Sequence, residues 1–297
     1  MEQYNAKFAE VYDIFMDNTD YDAWANYIIS LLPTDFPKGA RIFECGCGTG
    51  ALTLRLNKAG YDVTGSDISR DMLEVAAEKS RRCGQKTKFI CMDMRRIELH
   101  RPVDCIIAAC DCVNYLTSRE DVEKFLLTAF NGLRPGGILL FDVSSRYKLQ
   151  HILGQNGYCD NRTDVAYFWQ NCYDAESKLV EMELEFFVKS ANDAHGEPLY
   201  SRFSEKHIQR AHSERELVSW LKNIGFENIV ATLSLLYPSL FRNKAPTVAL
   251  KIAVNSRCDI MSHHSAFNQD SSASATRIIH CMIMPEPRKR AKCGGKS

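Results

Sequence analysis

The chain predicts an α/β fold, a doubly wound parallel sheet that carries a small antiparallel sheet as an insertion. Three observations predict it. Residues 41–45 form a short apolar run that enters Gly46-Cys47-Gly48-Thr49-Gly50 and then a helical pattern. Apolar runs and helical patterns keep alternating up to residue 142, as expected of parallel strands whose helices cover both sheet faces. After residue 150 the period becomes two. Val180, Met182, Leu184, Phe186 and Val188 alternate with Glu181, Glu183, Glu185 and Phe187, as on a strand with one buried face.

Each element has its own signal. Tyr4, Phe8, Val11, Tyr12 and Phe15 recur at helical spacing, then Trp24, Tyr27, Ile28, Leu31 and Leu32 do so again. Pro33 and Pro37 end this helical cap, assigned to 1–37. The core over 38–150 holds strands at 41–45, 61–66, 88–92, 103–110 and 138–142. Helices fill the gaps: 50–59 stopped by Gly60, one from Ser69 to near Gly84, and one from Ser118 with Asp121 placed like a capping-box acid. Pro135-Gly136-Gly137 turns the chain into the fifth strand. The antiparallel insertion is assigned to 151–212, with strands at 165–173, around 180–188 and at 199–209. Asp174-Ala175-Glu176-Ser177 and Asp193-Ala194-His195-Gly196 supply its turns. Residues 213–254 return to the core, with a helix from Ser213 to Gly225 and strands near 228–235 and 247–254. The segment 255–297 is rich in Ser, His and Asn, ends in a basic run and shows no core-forming period, so it is expected to be a disordered tail.

Composition narrows the function. Among 297 residues, Lys plus Arg and Asp plus Glu both number 37, so no net field favours nucleic acid or an anionic membrane. No apolar run approaches the ~20 residues that span a bilayer, and the N-terminus lacks the order of a signal peptide. A cytoplasmic protein is expected. The twelve cysteines mostly sit in apolar runs, as Cys45, Cys91, Cys105 and Cys110 do, and read as small buried hydrophobes. Cys45-x-Cys47 and Cys110-x-Cys112 are too tightly spaced for structural zinc, so no metal is expected.

Glycines at alternate positions let a backbone bend sharply and leave no Cβ between it and a ligand. The amides that open the following helix suit negative charge. Gly46, Gly48 and Ala51 loosely satisfy the G-x-G-x-x-G/A turn of dinucleotide enzymes. Glu44 with Gly46, Gly48 and Gly50 better fits an acidic residue followed by G-x-G-x-G. Further acids stand at successive strand ends: Asp67 after the second strand, where it could accept from ribose hydroxyls, and Asp93 after the third, where it could accept from an adenine amino group. The fourth strand ends at Cys110-Asp111, with Asn114-Tyr115 just beyond. A dinucleotide enzyme does not call for the acid on strand three.

With these motifs in place, residues 1–254 resemble a class I S-adenosylmethionine (SAM)-dependent methyltransferase. Glu44 to Gly50, Asp67-Ile68-Ser69-Arg70-Asp71-Met72-Leu73, Asp93-Met94 and Leu133-Arg134-Pro135-Gly136-Gly137 match the family's motifs. The resemblance implies a seven-stranded Rossmann-like sheet with an antiparallel last strand and SAM as cofactor. It implies cofactor contacts from Tyr12, Glu44, Gly46, Gly48, Gly50, Asp67, Ile68, Met72, Asp93, Met94 and Cys110. The N-terminal Tyr4-Asn5-Ala6-Lys7-Phe8 with Tyr12-Asp13, and the insertion, are similar to a bacterial subgroup that includes glycine and sugar-amine N-methyltransferases. There the cap and the inserted sheet close over the substrate. The expected reaction is methyl transfer to a nitrogen or oxygen of a small molecule. An NAD-dependent oxidoreductase and a non-catalytic SAM-binding protein stay open as alternatives.

Methyl transfer from a sulfonium needs alignment more than acid–base help, and a neutral amine needs no base. Candidate acceptor-facing residues are Tyr115, Asn114, Tyr12 and His207. Tyr115 and His207 are the catalytic candidates, and His207 alone among the four has an ordinary pKa suited to proton transfer near neutrality. Trp24 and the tyrosines could equally be helix-packing residues. An Asn/Asp-Pro-Pro-aromatic turn, typical of nucleobase amino-methylation, is absent after strand four, where Cys110-Asp111-Cys112-Val113 stands.

Overall fold

A computed structural model of the chain describes residues 6–17 and 19–231. Strands β1 (Arg41–Cys45), β2 (Asp62–Asp67), β3 (Lys88–Cys91), β4 (Val103–Ala108) and β5 (Leu133–Phe141) form a parallel sheet in the order β3-β2-β1-β4-β5. β1 is central and four of its five residues are buried, which is why it reads as a nearly continuous apolar run. Strand order reverses beside β1. In such sheets ligands sit outside the carboxyl ends of the strands at the reversal, here β1 and β4.

Alternate residues of β1 face opposite layers. Phe43 joins Ile106, Leu139 and the apolar faces of α5 (Arg119–Gly132) and α6 (Glu214–Ile224). Ile42 joins Val63, Ile107 and the faces of α2 (Tyr21–Leu31) and α3 (Ala51–Lys58). Each fully buried Phe, Leu or Ile contributes ~1.5–3 kcal/mol to holding these layers together. Ser69, at the start of α4 (Arg70–Arg82), and Ser118 and Ser213, at the starts of α5 and α6, accept bonds from the amides of Met72, Asp121 and Glu216. Ser213 and Glu216 complete a reciprocal capping box, as their spacing in sequence allows.

The insertion is a four-stranded antiparallel sheet of β6 (Gly157–Asn161), β7 (Val165–Asp174), β8 (Leu179–Asn192) and β9 (Pro198–Arg210) in chain order. Its buried face receives α1 (Ala6–Phe15): Phe15 meets Tyr167 edge-on with ring centroids 5.0 Å apart, and Phe8 lies 5.2 Å from Phe186.

Several expectations change. β6 and a π-helical turn at Lys148–Leu153 precede the three expected insertion strands. Pro135-Gly136-Gly137 runs within β5 rather than before it, because a register shift between Val103 and Cys105 absorbs the extra residues as a bulge. Cys91 is exposed instead of buried, since β3 is the sheet's edge strand. Of the strands expected near 228–235 and 247–254, residues 228–231 are irregular. The remainder lies outside the described residues, as does the tail expected at 255–297.

Candidate active site

The turn after β1 works through backbone conformation. Gly46, Gly48 and Gly50 all have positive φ, at 64°, 52° and 74°, a region that side-chain-bearing residues rarely adopt. Their surroundings differ. A Cβ at Gly46 would stand 2.9 Å from the Cys112 Cβ, and one at Gly50 would stand 3.0 Å from Ala76 and the Phe89 ring. A Cβ at Gly48 would meet nothing within 4 Å. Gly46 and Gly50 are glycines because protein packs on them. Gly48 is the one of the three that faces open space.

Two carboxylates sit behind this turn. Asp67, at the end of β2, accepts from the Gly48 amide at 2.8 Å and from the Ser69 amide at 2.9 Å. Burial raises its pKa, while those amide bonds act against the rise. Glu44 is 3% exposed and accepts a bond from the Thr53 hydroxyl on α3. Burial, with the Asp67 charge adding to it, pushes the Glu44 carboxyl up to about 8. Ile68, next to Asp67, is a half-exposed apolar side chain. Met72 is buried in the core that α1 shares with the insertion.

One clamp here escaped the sequence. Thr49 donates to Asp13 Oδ1 at 2.7 Å, and Lys79 Nζ reaches Asp13 Oδ2 at 2.7 Å and Thr49 Oγ1 at 3.1 Å. The cap helix α1 is thereby tied to the glycine turn and to α4.

The end of β3 departs from expectation. Burial opposes ionisation of Asp93, but the Arg95 guanidinium and backbone amide hold its pKa below the usual carboxylate range. Arg95 also reaches Asp121 on α5 at 3.3 Å. Met94 packs against the core beneath α5, and its carbonyl accepts from Thr128. The Asp93 carboxylate is thus engaged by a neighbour that the motif did not flag.

At the end of β4, Cys110 and Asp111 take consecutive positive φ values of 62° and 51°. For residues with side chains this is strained backbone, and it sits at the strand-order reversal. The Asp111 amide donates to Asp142 at 2.9 Å, and its carboxylate accepts from the Ser144 hydroxyl at 2.7 Å. Buried Lys148 stands 3.6 Å from Asp111 and donates to Ser144. Gln209 of β9 reaches Asp111 at 3.5 Å. Residues Ser144, Lys148 and Gln209 carried no sequence signal, because each is remote from the motifs.

The four acceptor candidates part company. Asn114 is fully buried, and its amide group bonds the backbone of Ser144 twice and the Arg210 carbonyl once. It braces three segments and presents no free face. Tyr115 meets His207 edge-on at 5.9 Å, and Phe8 of α1 lies 5.9 Å from the same imidazole. Burial lowers the His207 pKa to about 4, so at neutral pH it is an uncharged and weak base, contrary to the expectation from its ordinary value. Tyr12 lies near Tyr21, and burial, with nearby Tyr21, Cys110 and Tyr115 adding to it, raises the Tyr12 pKa well above normal. Tyr12, Tyr115, Cys110 and Asp111 therefore share one neighbourhood.

Residues 42–137 match the family model described as a methyltransferase domain. The chain is 37% identical over 221 residues to YqeM of Bacillus subtilis, whose own methyltransferase assignment is provisional; the match spans 74% of this chain and 85% of YqeM. It is 30% identical over 184 residues to a glycine/sarcosine N-methyltransferase of Halorhodospira halochloris, covering 61% of this chain and 64% of that one. A crystal structure of a SAM-dependent methyltransferase from Clostridium acetobutylicum superposes with a TM-score of 0.71 at 29% identity, over 84% of this chain and 97% of that chain. No such likeness favours the nicotinamide alternative. The open cradle at Gly48, the buried Asp67 beside it and the exposed apolar Ile68 fit a nucleoside cofactor. Fold, crevice and relatives agree: the chain belongs to the SAM-dependent methyltransferase family and is an enzyme whose cofactor is S-adenosylmethionine.

Proposed function

We propose that the enzyme methylates a nitrogen or oxygen of a small molecule held where the ends of β1 and β4 meet α1 and β9. The observation that carries this reading is the meeting of Phe8, His207 and Tyr115, rings from three different segments, at the strand-order reversal. Such an enclosed junction suits a small acceptor better than a polymer. The glycine/sarcosine N-methyltransferase relative supports nitrogen as the target.

When bound, S-adenosylmethionine supplies a methyl group on a sulfonium that is already activated for in-line displacement. Asp67 would accept from ribose hydroxyls, Ile68 would cover one face of the adenine, and the Gly48 amide region would admit the methionine end. Glu44 stands behind the turn and fixes it through Thr53. Tyr115 and Tyr12 would orient the acceptor and exclude water. Alignment of this kind supplies ~7–11 kcal/mol of barrier lowering, more than a positioned base at about 3–5 kcal/mol. With His207 uncharged, an amine acceptor reacts as the neutral base that solution provides.

Balanced charge and free cysteines support a cytoplasmic setting and a partner that is not nucleic acid. Among the described residues, no helix is long and apolar enough to cross a membrane. The test is calorimetric titration with SAM, S-adenosylhomocysteine and NAD, followed by tritiated-methyl transfer to panels of amines, hydroxyl compounds and tRNA. Binding of NAD alone, or label appearing only in tRNA, would refute the reading.

A further inference from the structure

Lys148 is a buried cation that the mechanism above does not use. It is 4% exposed and opens the π-helical turn after β5, a geometry that is rare and recurs at functional sites. Its ammonium donates to the Ser144 hydroxyl at 2.8 Å and stands 3.6 Å from the Asp111 carboxylate. Ser144 in turn donates to the same Asp111 oxygen at 2.7 Å. The three groups form a chain from the end of β5 to the turn after β4. There Cys110 and Asp111 hold consecutive left-handed backbone, at φ of 62° and 51°. Residues with side chains leave that region unless their surroundings hold them there. The Asp111 amide is held by Asp142 at 2.9 Å, so its backbone and its side chain are both anchored to the segment that follows β5.

Stability alone does not call for this arrangement. Burying a lysine beside a carboxylate desolvates both, and a well-packed apolar set of the same volume often holds a fold as firmly. The charged set adds a fixed geometry, and its position gives that geometry a use. Cys110 and Asp111 stand at the strand-order reversal, and the residues that follow lead to Tyr115, which meets His207 and lies near Tyr12. Relaxation of the turn would re-aim Tyr115. We propose that Lys148 is a positioning residue for methyl transfer: acting through Ser144, it holds the Cys110-Asp111 turn in its left-handed form, and that form sets the aim of Tyr115 on the acceptor. This rests on the methyl-transfer reading above. Lys148 touches neither substrate nor cofactor in this scheme and moves no proton. Its loss misaligns the acceptor and leaves cofactor binding intact, and alignment is the larger share of the barrier lowering.

The test compares Lys148→Met, Ser144→Ala, the double variant and Lys148→Arg with the wild-type chain at full length. Each is read by calorimetry with S-adenosylhomocysteine, by tritiated-methyl transfer to glycine and to glucosamine, and by amide exchange with S-adenosylhomocysteine bound. Lys148→Met and Ser144→Ala should each lower kcat by about tenfold or more, with KM and the Kd for S-adenosylhomocysteine within about twofold of wild type. The double variant should be no slower than Lys148→Met, because both changes cut one chain of contacts. Lys148→Arg should regain part of the rate by restoring the charge. Amide exchange in the two single variants should quicken at residues 110–115 and stay unchanged in the parallel sheet. Losses that add in the double variant, unaltered exchange at the turn, or exchange that quickens throughout would overturn the proposal. So would a Lys148→Met enzyme as fast as wild type on a probe that the wild type labels. Where the wild type labels neither probe, the exchange result decides alone. Should Lys148→Met fail to fold, Ser144→Ala, which keeps the cation, carries the same comparison. Failure of the wild-type chain to bind S-adenosylhomocysteine would instead remove the reading on which the proposal rests.

Discussion

The two sides of the crevice are built on different principles. On the side proposed for the cofactor, the Gly48 amide and the Asp67 carboxylate that holds it are 19 residues apart, and the turn's shape comes from backbone that glycine adopts readily. On the side proposed for the acceptor, Asp111 meets Gln209 across 98 residues of chain, and Asn114 meets Arg210 across 96. Its shape comes from side chains contributed by separate elements, and its strained residues are Cys110 and Asp111 rather than glycines. The first design must be written as a local motif. The second can be written anywhere that folding brings together.

The strongest way to break this comparison is at the glycines. Gly48→Val places a branched side chain into the open cradle at a φ of 52°. It should weaken S-adenosylhomocysteine binding by ~100-fold or more, about 3 kcal/mol, with the fold retained apart from ~1–3 kcal/mol of backbone strain. Gly46→Val differs, because its Cβ would strike Cys112, so it should unsettle the loop after β4 as well as the turn. Calorimetry and circular dichroism on the pair separate the cases. Normal binding by the Gly48 variant would show that the turn does not face the ligand.

The acceptor side should answer in stability. Asn114→Ala leaves the Ser144 amide and the carbonyls of Ser144 and Arg210 without their partner in a buried place. The expected loss is ~2–4 kcal/mol in urea unfolding, with the Kd for S-adenosylhomocysteine little changed. Asp67→Ala should do the reverse in emphasis, weakening cofactor binding by about 1.5–3 kcal/mol while also loosening the Gly48 amide. If both variants lost binding and stability in equal measure, the division into two sides would not hold.

These contrasts explain what could be read in advance. The strands of the parallel sheet and the capped helices were legible because period, serine caps and glycine stops are local signals. The backbone bend at Gly48 and the buried carboxylates of Glu44 and Asp67 behind it were legible for the same reason. The reach of Arg95 to Asp121 was not, because it depends on α5 lying beside β3's exit, and its hold on Asp93, though only two residues away, matches no motif. The packing of Cys112 against Gly46, 66 residues earlier, was not legible either, because only the folded chain brings the two together. His207 was singled out for its ordinary pKa, a property that burial removed.

A smaller effect tests the electrostatics behind the turn. Glu44 titrates near 8 when folded, raised by burial and by Asp67, against an ordinary value of 4.5. Between those values the folded chain retains a proton that the unfolded chain has released. The stability linked to this proton is full below about pH 4.5 and drains as pH rises to about 8. Buried His207 and His212, lowered from 6.5 to about 4, act in the opposite sense below about pH 6.5, so the Glu44 share is read from the difference between wild type and Glu44→Gln in the cofactor-free protein. The Tm advantage of wild type over Glu44→Gln should shrink as pH rises from about 4.5 to about 8, by a few degrees for a share on the order of 1–2 kcal/mol. Parallel curves for the two proteins would mean that Glu44 is ionised in the fold.

The smallest expected effect lies at the joint between the two sides. α1 belongs to the acceptor side through Phe8 and Tyr12, yet Asp13 on the same helix holds Thr49 and Lys79 on the cofactor side. Thr49→Val keeps the shape of the side chain and removes its hydroxyl. Because Lys79 and Asp13 are partly exposed and can still pair with each other, the stability loss should be only ~0.5–1 kcal/mol. The informative readout is amide exchange. Faster exchange confined to α1, with the glycine turn unchanged, would make the clamp a hinge pin for the cap. Equal acceleration in α1 and in the turn would mean that the two sides open together, and the comparison would have to be redrawn around one cooperative unit.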